Sequence, residues 1–82
     1  MVEYHVMLKR HQGSSRPDAC IYRDESRDAA LRAMCNYGKT YGFSVDDQDG
    51  RHTIADIVLV EKEPIHGAPV LSVTPYRELF DD

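Results

Sequence analysis

The alternation of apolar and polar residues over positions 2 to 10 constrains the fold more than any other feature of the chain. In VEYHVMLKR, apolar side chains recur at every second position: Val2, Tyr4, Val6 and Leu8. Successive side chains of a β-strand point to opposite faces, so this period of two predicts a strand at about 2–10 with one buried face. The fold must therefore include a sheet.

A second strand is predicted shortly after the first. The segment HQGSSRPD contains Gly13, Pro17 and two serines and is typical of a flexible connection. Residues 19–23, ACIYR, favour a strand, which would form a hairpin with the first strand through this long loop.

A helix is predicted at about 27–41. Ser26 suits the N-cap, Asp28 suits the positive end of the helix dipole, and Gly42 suits the left-handed position after the last turn. Residues of one helix face recur at spacings of three and four, as is typical of an amphipathic helix: Ala30, Leu31, Met34, Tyr37 or Gly38, and Tyr41.

Two more strands and a short helix are predicted in the second half of the chain. A strand at about 43–46 begins with Phe43, and another spans about 53–61. Residues 57–60, IVLV, are apolar on both faces, which indicates a central strand, and Asp56 suggests a bulge or a wet edge. Thr74 as N-cap and Pro75 at the first helical position predict a helical turn at 75–80.

These elements predict an α+β fold. Eighty-two residues suffice for a single small domain with one layer of sheet and about one long helix. The order ββαββ predicts an antiparallel sheet of about four strands with one amphipathic helix packed on one face. The other face would be covered by something else or left to solvent. The five tyrosines suit half-buried positions on such a sheet, either at the margin of the core or at an interface.

Membrane, cofactor and enzymatic roles are not expected. No apolar run reaches the ~20 residues that span a bilayer, and the N-terminus lacks the continuous apolar run of a signal peptide, so a cytoplasmic location is predicted. The cysteines, Cys20 and Cys35, are then expected to be reduced. The four histidines and two cysteines lack zinc-ligand spacing, and no phosphate-binding or nucleophile motif is present, so neither metal nor cofactor nor catalysis is predicted.

The stretch SVDDQDGRHTIAD, residues 44–56, raises the question of calcium. Asp47, Asp49, Gly50 and Asp56 match positions 3, 5, 6 and 12 of an EF-hand loop. Val45 stands where the first carboxylate is needed, and the flanking segments favour strands instead of helices. An Asp-Gly hairpin turn is the better interpretation, and calcium binding at 46–56 is kept as a lesser alternative.

The distribution of charge favours a protein partner. The net charge of −4 divides into +2 for residues 1–39 and −6 for residues 40–82. We expect an accessory interaction protein, by analogy with small acidic α+β proteins of phages and mobile elements, which binds another protein or a further copy of itself through a sheet edge. Its acidic binding residues would be Asp46, Asp47, Asp49, Glu61 and Glu63.

Nucleic-acid binding is the alternative function. It would use the basic first hairpin, with Lys9, Arg10 and Arg16 on the phosphate backbone and tyrosines on an open sheet face stacking on bases. The overall negative charge argues against it, because binding to phosphates usually needs a strong basic excess.

Overall fold

A computed structural model describes residues 1–10, 17–41 and 54–80 of the chain. The chain forms four strands and two helices in these ranges: β1 Glu3–Arg10, β2 Ala19–Asp24, α1 Arg27–Tyr41, β3 Ile54–Lys62, β4 Val70–Pro75 and α2 Tyr76–Phe80. The strands form one antiparallel sheet in the order β2-β1-β3-β4. The predicted α+β class, the first hairpin, the helix and the central position of the 57–60 run are confirmed.

Two elements differ from the prediction. The fourth described strand of the sheet is β4, Val70–Pro75, in a segment where the sequence predicts no strand. The second helix begins at Tyr76, because Pro75 still belongs to the strand. The strand predicted at 43–46 lies outside the described residues.

The register of the strands divides the side chains between two faces. Val6 of β1 lies opposite Tyr22 of β2 and Leu59 of β3, whereas His5 lies opposite Arg23 and Val60. The face of Val6 carries both helices and is called the helix face. The face of His5 is called the open face, and it also carries Met7, Lys9, Val58, Val60, Lys62, Val70 and Val73.

The core lies between the helix face and the two helices. Its buried side chains, each at most 4% exposed, are Val6, Leu8, Ala30, Met34, Ile57 and Leu59. Burying an aliphatic side chain of this size contributes roughly 1.5 to 3 kcal/mol. The period of two in β1 and the three-to-four spacing in α1 therefore meet in one apolar cluster.

Helix α1 begins as its sequence predicts. The Ala29 amide donates to Ser26 Oγ at 3.2 Å, and the Ala30 amide donates to the Ser26 carbonyl at 3.1 Å. The Ser26 amide in turn donates to Asp24 Oδ1 at 2.8 Å. The Ala30 bond is the first regular bond of the helix, whereas the bonds of Ala29 and Ser26 occupy amides that the first turn would otherwise leave without a partner. Ser26 is therefore confirmed as the N-cap.

Gly38 lets the second helix pack against the first. A Cβ atom at this position would lie 2.5 to 2.7 Å from the ring atoms Cε2 and Cζ and the hydroxyl oxygen of Tyr76. The Tyr76 ring also packs against Phe80, with 4.7 Å between ring centroids. A residue without a side chain in the middle of α1 is therefore explained by the close approach of α2.

The connection from β3 to β4 contains a tight turn. The Ala68 amide donates to the Ile65 carbonyl at 2.9 Å, and Gly67 has a φ of 82°. A positive φ at the third residue of a four-residue turn is typical of a type II turn and favours glycine. This turn brings β4 back beside β3.

A bulge interrupts β3 near Asp56, as the sequence indicates. Lys9 pairs with Asp56 and Arg10 with Ile54, which leaves Ala55 without a counterpart on β1. Asp56 Oδ1 accepts a hydrogen bond from the Ile57 amide at 2.8 Å. The carboxylate thus satisfies a backbone donor at the irregular point of the strand.

Within the described ranges, no helix has the length and apolar character needed to cross a membrane. Cys20 and Cys35 are free thiols, and Cys20 is exposed.

Candidate functional site

The open face has an apolar centre that does not belong to the core. Val58 is only 4% exposed, yet it is absent from the core cluster, because its register places it beside Met7 and Pro75 on the other side of the sheet. A groove of about 260 Å³ runs over this region. Its lining is apolar in the middle and charged at the rim: Met7, Val58, Val60, Val70 and Val73, with His5, Lys9, Asp18 and Lys62.

The strand β4 forms one edge of the sheet and is unusually apolar for an edge. Val70, Leu71 and Val73 are 50%, 54% and 51% exposed. The register shifts between Glu61 and Lys62: Glu61 pairs with Ser72, and Lys62 pairs with Val70. Sheet edges are normally protected by charges, prolines, bulges or covering segments, because their unpaired backbone groups can pair with another strand. β4 has Pro75 at its end and an irregular register, but it carries no charged residue.

A second cavity of about 290 Å³ adjoins the groove at the C-terminal end of β3. It is called the cationic pocket, and it is lined by Glu3, His5, Arg23, Lys62, Pro64, Ile65 and His66. His5 and Lys62 line both cavities, so the groove and the pocket form one continuous surface.

The acidic residues predicted from the sequence are not gathered into one exposed patch in the described part of the chain. Glu61 is half-buried and accepts hydrogen bonds from the Tyr4 hydroxyl at 3.4 Å and the Ser72 hydroxyl at 3.2 Å. It therefore links β1, β3 and β4 within the fold. Glu63 follows β3 and is exposed, whereas Asp46, Asp47 and Asp49 lie outside the described residues.

The basic residues predicted from the sequence lie on opposite faces of the sheet. Lys9 is on the open face and forms an ion pair with Asp18, with 3.1 Å between Nζ and Oδ2. Arg10 follows it on the helix face. Burial raises the pKa of Tyr37 above its ordinary value, and the charge of Arg10 opposes this rise in part. Because neighbouring residues of a strand alternate between faces, Lys9 and Arg10 cannot form one basic patch. Arg16 lies outside the described residues.

Asp18 is held by the end of β1. Its Oδ1 accepts a hydrogen bond from the Arg10 amide at 2.9 Å. This bond, and then the Lys9 side chain, lowers the pKa of Asp18 below its ordinary value. The Lys9 charge is consequently engaged within the protein.

The tyrosines do not lie on the open face. Tyr4, Tyr22, Tyr37 and Tyr76 pack against the core, and Tyr41 contacts Tyr37 with 4.7 Å between ring centroids. The prediction that tyrosines on an open sheet face stack on bases is therefore wrong. The physical reason is register: Tyr4 shares its face with Val6 and Leu8, which the helices cover.

Tyr22 has a role beside the helix start. Its hydroxyl donates to Asp24 Oδ2 at 2.7 Å. This hydrogen bond raises the pKa of Tyr22, and the pKa of Asp24 is lowered by the Ser26 amide and then by the Tyr22 hydroxyl. Asp24 thus connects β2 to the N-terminus of α1.

Metal binding has no support in the described ranges. Residues 1–10, 17–41 and 54–80 contain no group of three or more His, Cys, Asp or Glu side chains that could hold a metal ion. Most of the 46–56 loop lies outside these ranges, so calcium binding there stays a prediction.

Comparison with protein-family models, with curated proteins and with solved structures finds no match for this chain. The candidate site therefore rests on geometry alone. Sequence reasoning missed the groove and the β4 edge. The one available signal was the run at 57–60, whose apolar residues on both faces required a second apolar surface opposite the core.

Proposed function

We propose that this protein is a non-enzymatic binding domain that recognises an extended segment of another protein. The segment adds to the outer edge of β4 as a further strand. The observation that carries this proposal is the exposure of about half of each of Val70, Leu71 and Val73 on the edge strand.

Strand addition needs both backbone and side-chain contacts. Unpaired amides and carbonyls on the outer side of an edge strand supply the hydrogen bonds, and pockets for alternate side chains supply specificity. The side chains of Val70 and Val73 lie on the open face next to the groove. Every second residue of an added strand would extend this apolar surface.

A different protein is favoured over a second copy as the occupant. Each copy carries a net charge of −4, so two copies repel one another at long range. The acidic residues Asp46, Asp47 and Asp49 remain part of the proposal as a further contact that the sequence predicts.

The test is a pull-down with a variant that blocks the edge. Leu71→Lys with Val73→Lys places two charges where a partner strand would lie, and Asn36→Lys with Thr40→Lys adds the same two charges to exposed positions of α1. We expect the edge variant to lose a partner that the wild-type protein and the α1 control both retain, while all three give the same circular dichroism spectrum.

Two results would overturn the proposal. One is capture that is equal for the edge variant and the control. The other is a wild-type protein that is dimeric by light scattering and becomes monomeric in the edge variant, because a second copy would then occupy β4.

A further inference from the structure

We infer that the cationic pocket binds a carboxylate of the partner segment, an inference that rests on the proposed function. The segment would place alternate apolar residues along β4 and the groove, and an aspartate, a glutamate or a terminal carboxylate in the pocket. This names the chemistry of the partner that the surface fits.

The pocket is built from two neighbouring rows of the sheet. Glu3 lies opposite Lys62, and His5 lies opposite Arg23, so these four side chains lie next to one another on the open face. The turn from β3 to β4 contributes Pro64, Ile65 and His66 to the lining of the cavity.

The charges in the pocket are not balanced. In the described part of the chain, the side-chain contacts at ion-pair distance are His5 with Glu3, at 3.2 Å, and Lys9 with Asp18. Arg23 and Lys62 therefore have no carboxylate at ion-pair distance among these residues. Two permanent cations face a single carboxylate, Glu3, in a protein whose net charge is −4.

The type of anion follows from the donors and from the surface around them. An arginine guanidinium presents parallel N–H groups that match a carboxylate, and a hydrogen bond between charged groups is stronger than one between neutral groups. The adjoining groove has an apolar floor of Met7, Val58 and Val60, and the tyrosines that could stack on bases lie on the opposite face. A peptide carboxylate fits this combination better than the phosphate of a nucleic acid.

The position of the carboxylate along the segment is also determined. Val73 pairs with Val60, and Val70 pairs with Lys62, so the start of β4 lies at the pocket and its end lies away from it. A strand added antiparallel to β4 has its C-terminal end beside Val70, and the residues after it would continue past Pro64, Ile65 and His66 into the pocket over β3 and β1. The carboxylate would therefore lie C-terminal to the apolar residues that pair with β4.

The experiment is an NMR titration of the isotope-labelled protein with two capped peptides. Both alternate threonine with valine; one ends in glutamate and the other in glutamine. We expect both peptides to shift the amide signals of β4, and the glutamate peptide to bind about tenfold more tightly and to shift Arg23 and Lys62.

Variants of the protein complete the test. Arg23→Gln with Lys62→Gln should remove the preference for glutamate, whereas Arg77→Gln, which removes a charge from the exposed side of α2, should retain it. Loss of the preference in both variants would show that net charge, and not the pocket, is responsible.

The outcomes separate this inference from the proposed function. Equal affinity for the two peptides, with shifts in β4, would overturn the carboxylate site and leave strand addition intact. Shifts at the pocket without shifts in β4 would overturn strand addition and leave the anion site. No shifts with either peptide would overturn both, and tighter binding of a thymidine oligonucleotide at the pocket would assign the site to nucleic acid.

Discussion

On the helix face, Val6 and Ile57 are fully buried, whereas Val70 and Val73 on the open face are about half exposed. Aliphatic side chains are thus part of the core on one side of the sheet and exposed to solvent on the other. The difference arises from the connections, because both helices pack against the face of Val6. The hydrophobic pattern and the composition of a sequence do not by themselves reveal which apolar residues will be buried in the core.

The largest expected difference in stability is between truncating a core residue to alanine and truncating an edge residue to alanine. Ile57→Ala should lower the free energy of unfolding by roughly 2 to 5 kcal/mol, because it leaves a cavity among buried side chains. Leu71→Ala, at a residue that is 54% exposed, should cost less than about 1 kcal/mol. Urea unfolding followed by circular dichroism measures both, and equal losses would contradict the assignment of the two faces.

A smaller effect is expected where the two helices meet. Gly38→Ala should destabilise the protein by about 1 to 3 kcal/mol, since the new Cβ would overlap the Tyr76 ring. The better helix propensity of alanine offsets about 1 kcal/mol of this cost. Thermal unfolding gives the net value.

The matched control for Gly38→Ala is Thr40→Ala at an exposed position of α1. It should change the stability by no more than about 0.5 kcal/mol. Adding Tyr76→Ala to Gly38→Ala should remove the steric part of the loss. If Gly38→Ala stabilised the protein on its own, the close contact between α1 and α2 would be disproved.

The turn that leads into β4 allows a comparison with a smaller expected change in stability. Gly67 has a φ of 82°, and a Cβ there would meet no atom within 4 Å. Gly67→Ala should therefore cost about 1 to 2 kcal/mol through backbone strain alone. Gly67→Asn should cost less, because asparagine tolerates the left-handed region, and a thermal melt that ranks alanine above asparagine would contradict the turn geometry.

The smallest expected effect is a dependence of stability on pH in the acidic range. Hydrogen bonds from the Ser26 amide and the Tyr22 hydroxyl lower the pKa of Asp24 from its ordinary value of 3.8. A lowered pKa in the folded state means that the stabilisation is present above pH 3.8 and is lost as the pH falls through the lower, folded value. Asp24→Asn should unfold with a weaker pH dependence between pH 5 and 2, and an unchanged profile would contradict the role of Asp24.

Much of the fold could be predicted because its patterns are local. The alternation in β1, the N-cap at Ser26 and the spacing in α1 depend on near neighbours, and each led to the correct element. The strand β4 could not be predicted in the same way, because its pairing with β3 depends on a contact across the turn at Gly67. Without that pairing, Val70 to Val73 resemble a short apolar linker.

The candidate site was less predictable than the fold. Lys9 and Arg10 are adjacent in sequence, but the strand separates them, and Glu61 is engaged by Tyr4 and Ser72. Arg23 and Lys62 are far apart in sequence and meet only because β2 and β3 both flank β1. Charge counts by halves of the chain could not detect this pairing.

Amide hydrogen exchange of β4, with and without the captured partner, tests the central claim most directly. In the free protein, we expect slow exchange in β1 and β3 and faster exchange at the outward amides of β4. Addition of the partner should slow exchange at these β4 amides and leave α1 unchanged. Protection that appears on α1 and not on β4 would contradict the assignment of the open face and its edge as the binding surface.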